Sequence, residues 1–132
     1  MKHINVIFLL YLLTQNLCGQ TNGFNTQQAD TTIYLTVDKD PTFPGDTLLS
    51  FLHRNIIYPP IDRSQTTGMI YVEFVVETNG QISNAKITKG LHPTYDNEVL
   101  RVINSMPNWT TGYKNGIAVR TKRIIPIRIH LQ

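Results

Sequence analysis

Alternating apolar and polar residues mark the segment from Gly68 to Gly90 as a β-hairpin. The dipeptide Asn79-Gly80 lies near its middle, and both residue types tolerate the positive φ angles of a type I′ turn. Counting outward from that turn puts apolar side chains on one face and an opposite-charge pair on the other, as in a half-buried antiparallel sheet. The expected cross-strand pairs are Val72–Ile87, Phe74–Ala85, Val76–Ser83, Glu73–Lys86 and Tyr71–Thr88.

Apolar residues at helical spacing predict two helices. The first is expected to be capped by Asp46 and to end before Pro59, because the residue before a proline avoids the α region. The second is expected to begin near Pro93 or Thr94 and to end at Pro107. The predicted core-facing residues are Leu48, Leu49, Leu52 and Ile56 in the first helix, and Tyr95, Val99, Val102, Ile103 and Met106 in the second.

Two more strands are predicted, a short one from Thr32 to Val37 and a long final one from Ile117 to Leu131. Trp109 is expected in the core, and residues 112–116 are expected to form a turn. Pro126 lies within the final strand and has no N–H to donate, so this strand is predicted to be an edge strand or to contain a bulge. The order strand, helix, hairpin, helix, strand predicts an α+β fold, a small antiparallel sheet of about three to four strands with two helices packed on one face.

The N-terminus resembles a secretory signal. A basic start is followed by an apolar run of about ten residues, Ile4 to Leu13, whereas a membrane-spanning helix needs about twenty. Residues 1–19 are therefore interpreted as a signal peptide, with a retained anchor or lipidation at Cys18 as alternatives. Residues 20–36 are predicted to form a short polar leader, and residues 37–132 are predicted to form the folded domain.

The charge is unevenly distributed. The formal net charge is +3, and no acidic residue follows Glu98. A basic strip can bind an anionic partner such as nucleic acid, or it can protect an edge strand from aggregation. For an exported protein the second interpretation is favoured, and no nucleic-acid partner is predicted. The cations in question are Arg101, Lys114, Arg120, Lys122, Arg123 and Arg128.

Residues that would support catalysis are scattered. His53, His92 and His130 fall on three different elements without metal-ligand spacing. The chain contains no nucleophile elbow and no phosphate-binding glycine loop. We therefore predict no enzyme activity, no metal site and no cofactor. The exposed final strand instead favours binding of an extended peptide by strand addition, with an idle, protected edge as the alternative.

Several motifs, taken in order, resemble the TonB C-terminal domain family of Bacteroidetes-type bacteria. The stretch from Pro41 to Gly45 is similar to its Pro-x-Phe-Pro-Gly motif, and Tyr58-Pro59 to its Tyr-Pro motif. The segment from Gly68 to Gly80 resembles its central hairpin. The segment from Ser105 to Trp109 resembles the end of the family's second helix and its tryptophan. The closing Ile-Pro-Ile resembles the family's last strand. The resemblance covers roughly Val37 to Leu131.

The resemblance implies a periplasmic energy-transducer module that binds the TonB box, an extended segment of TonB-dependent outer-membrane receptors, along its last strand. It also implies inner-membrane proton-driven motor proteins as partners. One of Thr121 and Ile127 is expected to face outward with a free N–H. The implied partner-binding residues are Tyr58, Pro59, Val119, Arg120, Thr121, Lys122, Arg123, Ile124, Ile125, Ile127 and Ile129.

A full transducer also has a membrane anchor and a long proline-rich spacer, whereas the leader of this chain contains no proline. An envelope adaptor without energy transduction is therefore the alternative function. The protein is expected in the periplasm, tethered to the inner membrane if the N-terminal segment is retained. A homodimer formed by exchange of the last strand is left open.

Overall fold

The computed structural model describes residues 30–58, 60 and 67–129 of the 132-residue chain. The strands are β1 (Ile33–Tyr34), β2 (Gly68–Val76), β3 (Ile82–Lys89), β4 (Gly112–Lys114) and β5 (Ile117–Ile129), and the helices are α1 (Leu48–Asn55) and α2 (Pro93–Asn104). The strand order is β1-β5-β2-β3, and β4 pairs with the start of β5. Because β1 runs parallel to β5 while the other pairs are antiparallel, the sheet is mixed.

The core lies between the sheet and the helices. Alternate residues of β2, from Ile70 to Val76, are fully buried, as is the predicted apolar face of α2 from Tyr95 to Ile103. Trp109 is buried as predicted, and its ring packs on Phe43 and Phe74. The two-helix α+β fold expected from the sequence is confirmed.

Helix α1 differs from its prediction in two details. Thr47, not Asp46, caps it, since the Thr47 hydroxyl accepts a hydrogen bond from the Ser50 N–H at 3.2 Å. Asp46 instead forms an ion pair with Arg54 at 3.0 Å. Leu52 and Ile56 are buried, but the Leu49 residue is 62% exposed, so the core-facing stripe is narrower than predicted.

The turn between β2 and β3 is not the predicted type I′ turn. Only Gly80 has a positive φ, at 84°, and Asn79 does not. The Gly80 N–H donates to the Glu77 carbonyl at 2.9 Å, and the Glu77 N–H donates to the Gln81 carbonyl at 2.8 Å. The loop therefore has three residues, a turn followed by a left-handed glycine. The Gly80 carbonyl accepts from the Trp109 N–H at 2.8 Å, which ties this loop to the core aromatic.

The longer loop shifts the start of the hairpin by one residue, and a bulge restores the predicted register. Val76 pairs with Ile82 rather than Ser83, whereas Glu73–Lys86 and Val72–Ile87 pair as predicted. Between these regions lies Asn84, with a φ of 52°, which supplies the extra residue of a β-bulge. Phe74 lies opposite this irregular stretch instead of pairing with Ala85. A second shift pairs Tyr71 with Lys89 instead of Thr88.

The predicted turn at residues 112–116 is partly a strand. Gly112–Lys114 forms β4, and Asn115-Gly116 connects it to β5 with φ angles of 51° and 74°, as a type I′ turn requires. The predicted strand from Thr32 to Val37 is reduced to Ile33–Tyr34. The chain after β1 instead turns to pair Lys39 with Tyr113 and Thr42 with Thr110.

Candidate functional site

The outer edge of β5, meaning the side of the strand that faces away from β2, is the candidate site. From Thr121 to Ile129, β5 pairs with β2 residue by residue without a register shift. Among the residues that the structure describes, pairing on the outer edge is confined to β1 at Arg120 and Thr121. The prediction that Pro126 marks an edge therefore applies to the second part of β5.

Pro126 fixes which residues point their backbone groups outward. It pairs with Tyr71, and because proline has no N–H its nitrogen belongs on the side away from the β2 ladder. Backbone groups alternate along a strand, so Lys122, Ile124 and Arg128 also direct their N–H and C=O groups to the outer edge. Thr121 and Ile127 have the opposite parity, and both face β2. The expectation that one of these two faces outward is wrong.

The side chains of β5 divide between two faces. The odd-numbered positions from Val119 to Ile129 lie on the core-facing side. Val119, Thr121, Ile127 and Ile129 are buried there, Ile125 is partly buried, and the Arg123 side chain pairs with Asp40. The even-numbered positions lie on the opposite face, where Ile124 is 55% exposed. Of the predicted partner-binding residues, Arg120, Lys122 and Ile124 lie on this exposed face with outward backbone groups, although β1 pairs with β5 at Arg120 and Thr121. The four buried residues offer their side chains only to the core.

The cations of the predicted basic strip are largely paired within the protein. Arg120 makes two hydrogen bonds to the Glu77 carboxylate, at 2.7 and 3.0 Å. The Lys122 ammonium lies 3.0 Å from Glu73, and the Arg123 guanidinium lies 3.0 Å from Asp40. Internal neutralisation of these charges weakens the case for a strongly anionic partner and supports the edge-protecting role.

Two carboxylates of β2 and its following turn are stabilised in the charged form by these cations. Hydrogen bonding from Arg120 lowers the pKa of Glu77, with a smaller contribution from Ser83. Hydrogen bonding from Lys122 lowers the pKa of Glu73, assisted by Lys86. Partial burial opposes both shifts but does not reverse them.

One end of the outer edge is occupied by the chain itself. Ile33 pairs with Arg120 and Tyr34 with Thr121, in parallel orientation. The Arg120 guanidinium that binds Glu77 also donates to the Thr31 carbonyl at 2.8 Å. A groove of about 520 Å³ lies beside this junction, lined by Asp30, Thr31, Glu77, Thr78, Ala118, Val119 and Arg120. Sequence analysis missed this contact, because a two-residue strand carries no signal of its pairing partner.

The Tyr-Pro motif lies in the helical layer. The Tyr58 ring packs edge-on against Tyr95 of α2, with 6.4 Å between ring centroids, and Tyr58 is 40% exposed. Pro59 lies outside the described residues. The structure thus gathers the predicted β5 residues on one strand and places Tyr58 beside a different element, α2.

The outer edge of β5 offers backbone N–H and C=O groups as its chemistry. Across residues 30–58, 60 and 67–129, no group of three or more His, Cys, Asp or Glu side chains is placed to hold a metal ion. A regular edge with outward N–H and C=O groups binds an extended peptide through main-chain hydrogen bonds. The structure is therefore a small α+β domain in which β5, within the described residues, pairs on its outer side with β1 at Arg120 and Thr121.

Comparison with known families identifies the domain. Residues 54–131, more than half of the chain, match the family described as Gram-negative bacterial TonB protein C-terminal, and the chain belongs to that family. This confirms the resemblance inferred from the sequence motifs. No curated protein matches the chain. None of the helices in the described part of the chain is long and apolar enough to cross a membrane.

Proposed function

We propose that this protein is a periplasmic TonB-like protein whose outer edge of β5 binds the TonB-box segment of an outer-membrane receptor by strand addition, in support of energy-dependent transport. The family is that of an envelope transport domain without enzymatic activity, and it interacts with outer-membrane receptors in general. Receptor binding and energy coupling by this particular chain are the proposal.

The observation that carries the proposal is the regularity of the outer edge of β5. Nine consecutive residue pairs with β2, from Val76–Thr121 to Gly68–Ile129, hold the strand in one register. Such a strand directs the backbone groups of every second residue outward, and at Pro126 only the carbonyl is available to an added strand. The exposed side chain of Ile124 lies in the middle of this stretch and offers an apolar contact to alternate side chains of the partner.

A proline substitution at Ile124 tests strand addition directly. Ile124→Pro removes an outward N–H without removing a bond to β2, so we expect receptor-segment binding to be lost while the fold is retained. Binding is measured by NMR titration of the full chain with synthetic N-terminal segments of candidate receptors. Folding is monitored by the dispersion of core resonances, including that of the Trp109 indole.

Two variants control this experiment. Ile124→Val keeps the N–H with a similar side chain and is expected to bind as well as the wild type. Ile125→Pro removes an N–H that faces β2, and we expect it to destabilise the sheet itself. Equal binding by Ile124→Pro and Ile124→Val would rule out strand addition at this position. Failure of every segment to bind the wild type would leave the family assignment standing and favour the adaptor function.

A further inference from the structure

The pairing of β1 with β5 suggests how access to the outer edge is controlled. We propose that β1 is an exchangeable internal strand, which covers the start of the outer edge of β5 in the free protein and leaves when a partner segment binds. The inference rests on the proposed function, since it assigns β1 as the competitor of the added segment.

The register identifies the groups that β1 occupies. Arg120 and Lys122 direct their backbone groups outward, and Ile33 pairs with Arg120 while Tyr34 pairs with Thr121. In a parallel ladder this register places the Thr32 carbonyl against the Arg120 N–H, the Tyr34 N–H against the Arg120 carbonyl and the Tyr34 carbonyl against the Lys122 N–H. The Ile33 backbone groups point away from β5. Tyr34 is therefore the residue through which β1 blocks two adjacent positions of the edge.

The contacts that hold β1 are few and mostly at the surface. The Tyr34 hydroxyl donates a hydrogen bond to the Asp30 carboxylate at 3.4 Å, and the Lys114 ammonium lies 5.7 Å from the centroid of the Tyr34 ring. The Arg120 guanidinium holds the Thr31 carbonyl. The next residue, Leu35, is 74% exposed. A two-residue strand with such contacts is easily displaced, unlike β2, whose core-facing residues are fully buried.

The expected effect on binding follows from the fraction of molecules in which the edge is open. If β1 is paired in nine molecules of ten, the apparent Kd of a competing segment is about tenfold higher than that of the open edge. Releasing β1 is therefore expected to tighten binding of such a segment by about three- to tenfold.

The experiment compares the full chain with Tyr34→Pro, which removes the N–H that pairs with β5, and with Ile33→Pro, whose lost N–H points away from it. Tyr34→Thr controls for loss of the aromatic ring. Amide hydrogen exchange is followed at Arg120 and Lys122, with Ile125 as the internal reference for a bond to β2. We expect Arg120 and Lys122 to be protected in the wild type and in Ile33→Pro, and to exchange faster in Tyr34→Pro.

The second measurement uses a synthetic peptide with the sequence of residues 30–36, Asp-Thr-Thr-Ile-Tyr-Leu-Thr. It should restore protection at Arg120 and Lys122 in Tyr34→Pro and bind the wild type about three- to tenfold more weakly. Unchanged protection in Tyr34→Pro, or equal peptide binding by both proteins, would overturn the inference. If β1 behaves as expected but no receptor segment binds either protein, the receptor-binding proposal fails while the exchangeable strand stands.

Discussion

The two edges of the sheet differ in regularity, although both edge strands follow an Asn-Gly dipeptide. β3 enters from Asn79-Gly80 and is interrupted by the bulge at Asn84, so its pairing with β2 shifts register. β5 enters from Asn115-Gly116 and stays in one register with β2 from Thr121 to Ile129. Bulges disrupt the spacing that an incoming strand needs. This difference in regularity supports β5, and not β3, as the strand that receives the partner in the proposed function.

The largest expected effect is a difference in stability between alanine variants of the two turns that precede β3 and β5. In Gly80→Ala the new Cβ would lie 2.1 Å from the Trp109 carbonyl oxygen, at a φ of 84° that alanine disfavours. We expect the free energy of unfolding to fall by about 2–5 kcal/mol from the combined strain and overpacking. Urea denaturation measures the change.

Gly116→Ala is the matched control. Its φ of 74° is similar, but nothing lies within 4 Å of the new Cβ. We expect a loss of only about 1–2 kcal/mol, from backbone strain alone. If Gly80→Ala and Gly116→Ala lowered the free energy of unfolding equally, the claim that the close contact with Trp109 adds to the cost at Gly80 would be wrong.

A smaller effect is expected from the bulge that interrupts β3. Asn84→Val places a β-branched residue at a φ of 52° and should lower the free energy of unfolding by about 1–2 kcal/mol. Asn84→Gly accepts this φ and should change stability by less than about 0.5 kcal/mol. Denaturant titration of the two variants provides the comparison, and a valine variant as stable as the glycine variant would argue against a left-handed residue in the bulge.

The smallest effect concerns Glu73, which links both edge strands through one carboxylate oxygen. That oxygen lies 3.0 Å from Lys122 of β5 and 3.3 Å from Lys86 of β3. Hydrogen bonding from Lys122 is the largest cause of the lowered Glu73 pKa. Lys122→Met is therefore expected to raise this pKa more than Lys86→Met, as followed by NMR titration of the Glu73 carboxyl. The Glu98 carboxyl, which is paired with Arg101, serves as the reference. A larger rise of the Glu73 pKa in Lys86→Met than in Lys122→Met would contradict the assignment of Lys122 as the main cause.

The same shifts set the direction of the pH dependence of stability. The carboxylates of Glu73, Glu77 and Glu98 have pKa values below the ordinary 4.5, so the unfolded chain binds more protons than the folded chain in acid. Their contribution to the free energy of unfolding is present above pH 4.5 and is lost as the pH falls through the lowered values. Thermal unfolding between pH 7 and pH 3 should show this loss, and Glu77→Gln should reduce it. An unchanged pH profile in Glu77→Gln would contradict the role of the Arg120 pair.

Much of the fold was predictable because it is encoded in local periodicity. The apolar stripe of α2, the central pairs of the hairpin and the buried Trp109 follow from the spacing of apolar residues and from prolines that end helices. The outer edge of β5 was predictable in part, since Pro126 excludes a fully paired strand. Which β5 residues face outward follows from the same proline, because backbone groups alternate along a strand, and the expectation for Thr121 and Ile127 did not apply this alternation.

The sequence by itself determined that the chain forms two helices, a central hairpin and a proline-containing last strand, because residue period and the φ preferences of Asn, Gly and Pro act locally. The tertiary structure decided which Asn-Gly dipeptide adopts the type I′ turn. Asn115-Gly116 does so where nothing lies within 4 Å of a Cβ added at Gly116, whereas the loop at Gly80 is held by the Trp109 N–H. It also decided where β1 lies, since the pairing of Ile33 with Arg120 joins segments from opposite ends of the domain. Such contacts depend on the assembled sheet, and no short stretch of the sequence specifies them.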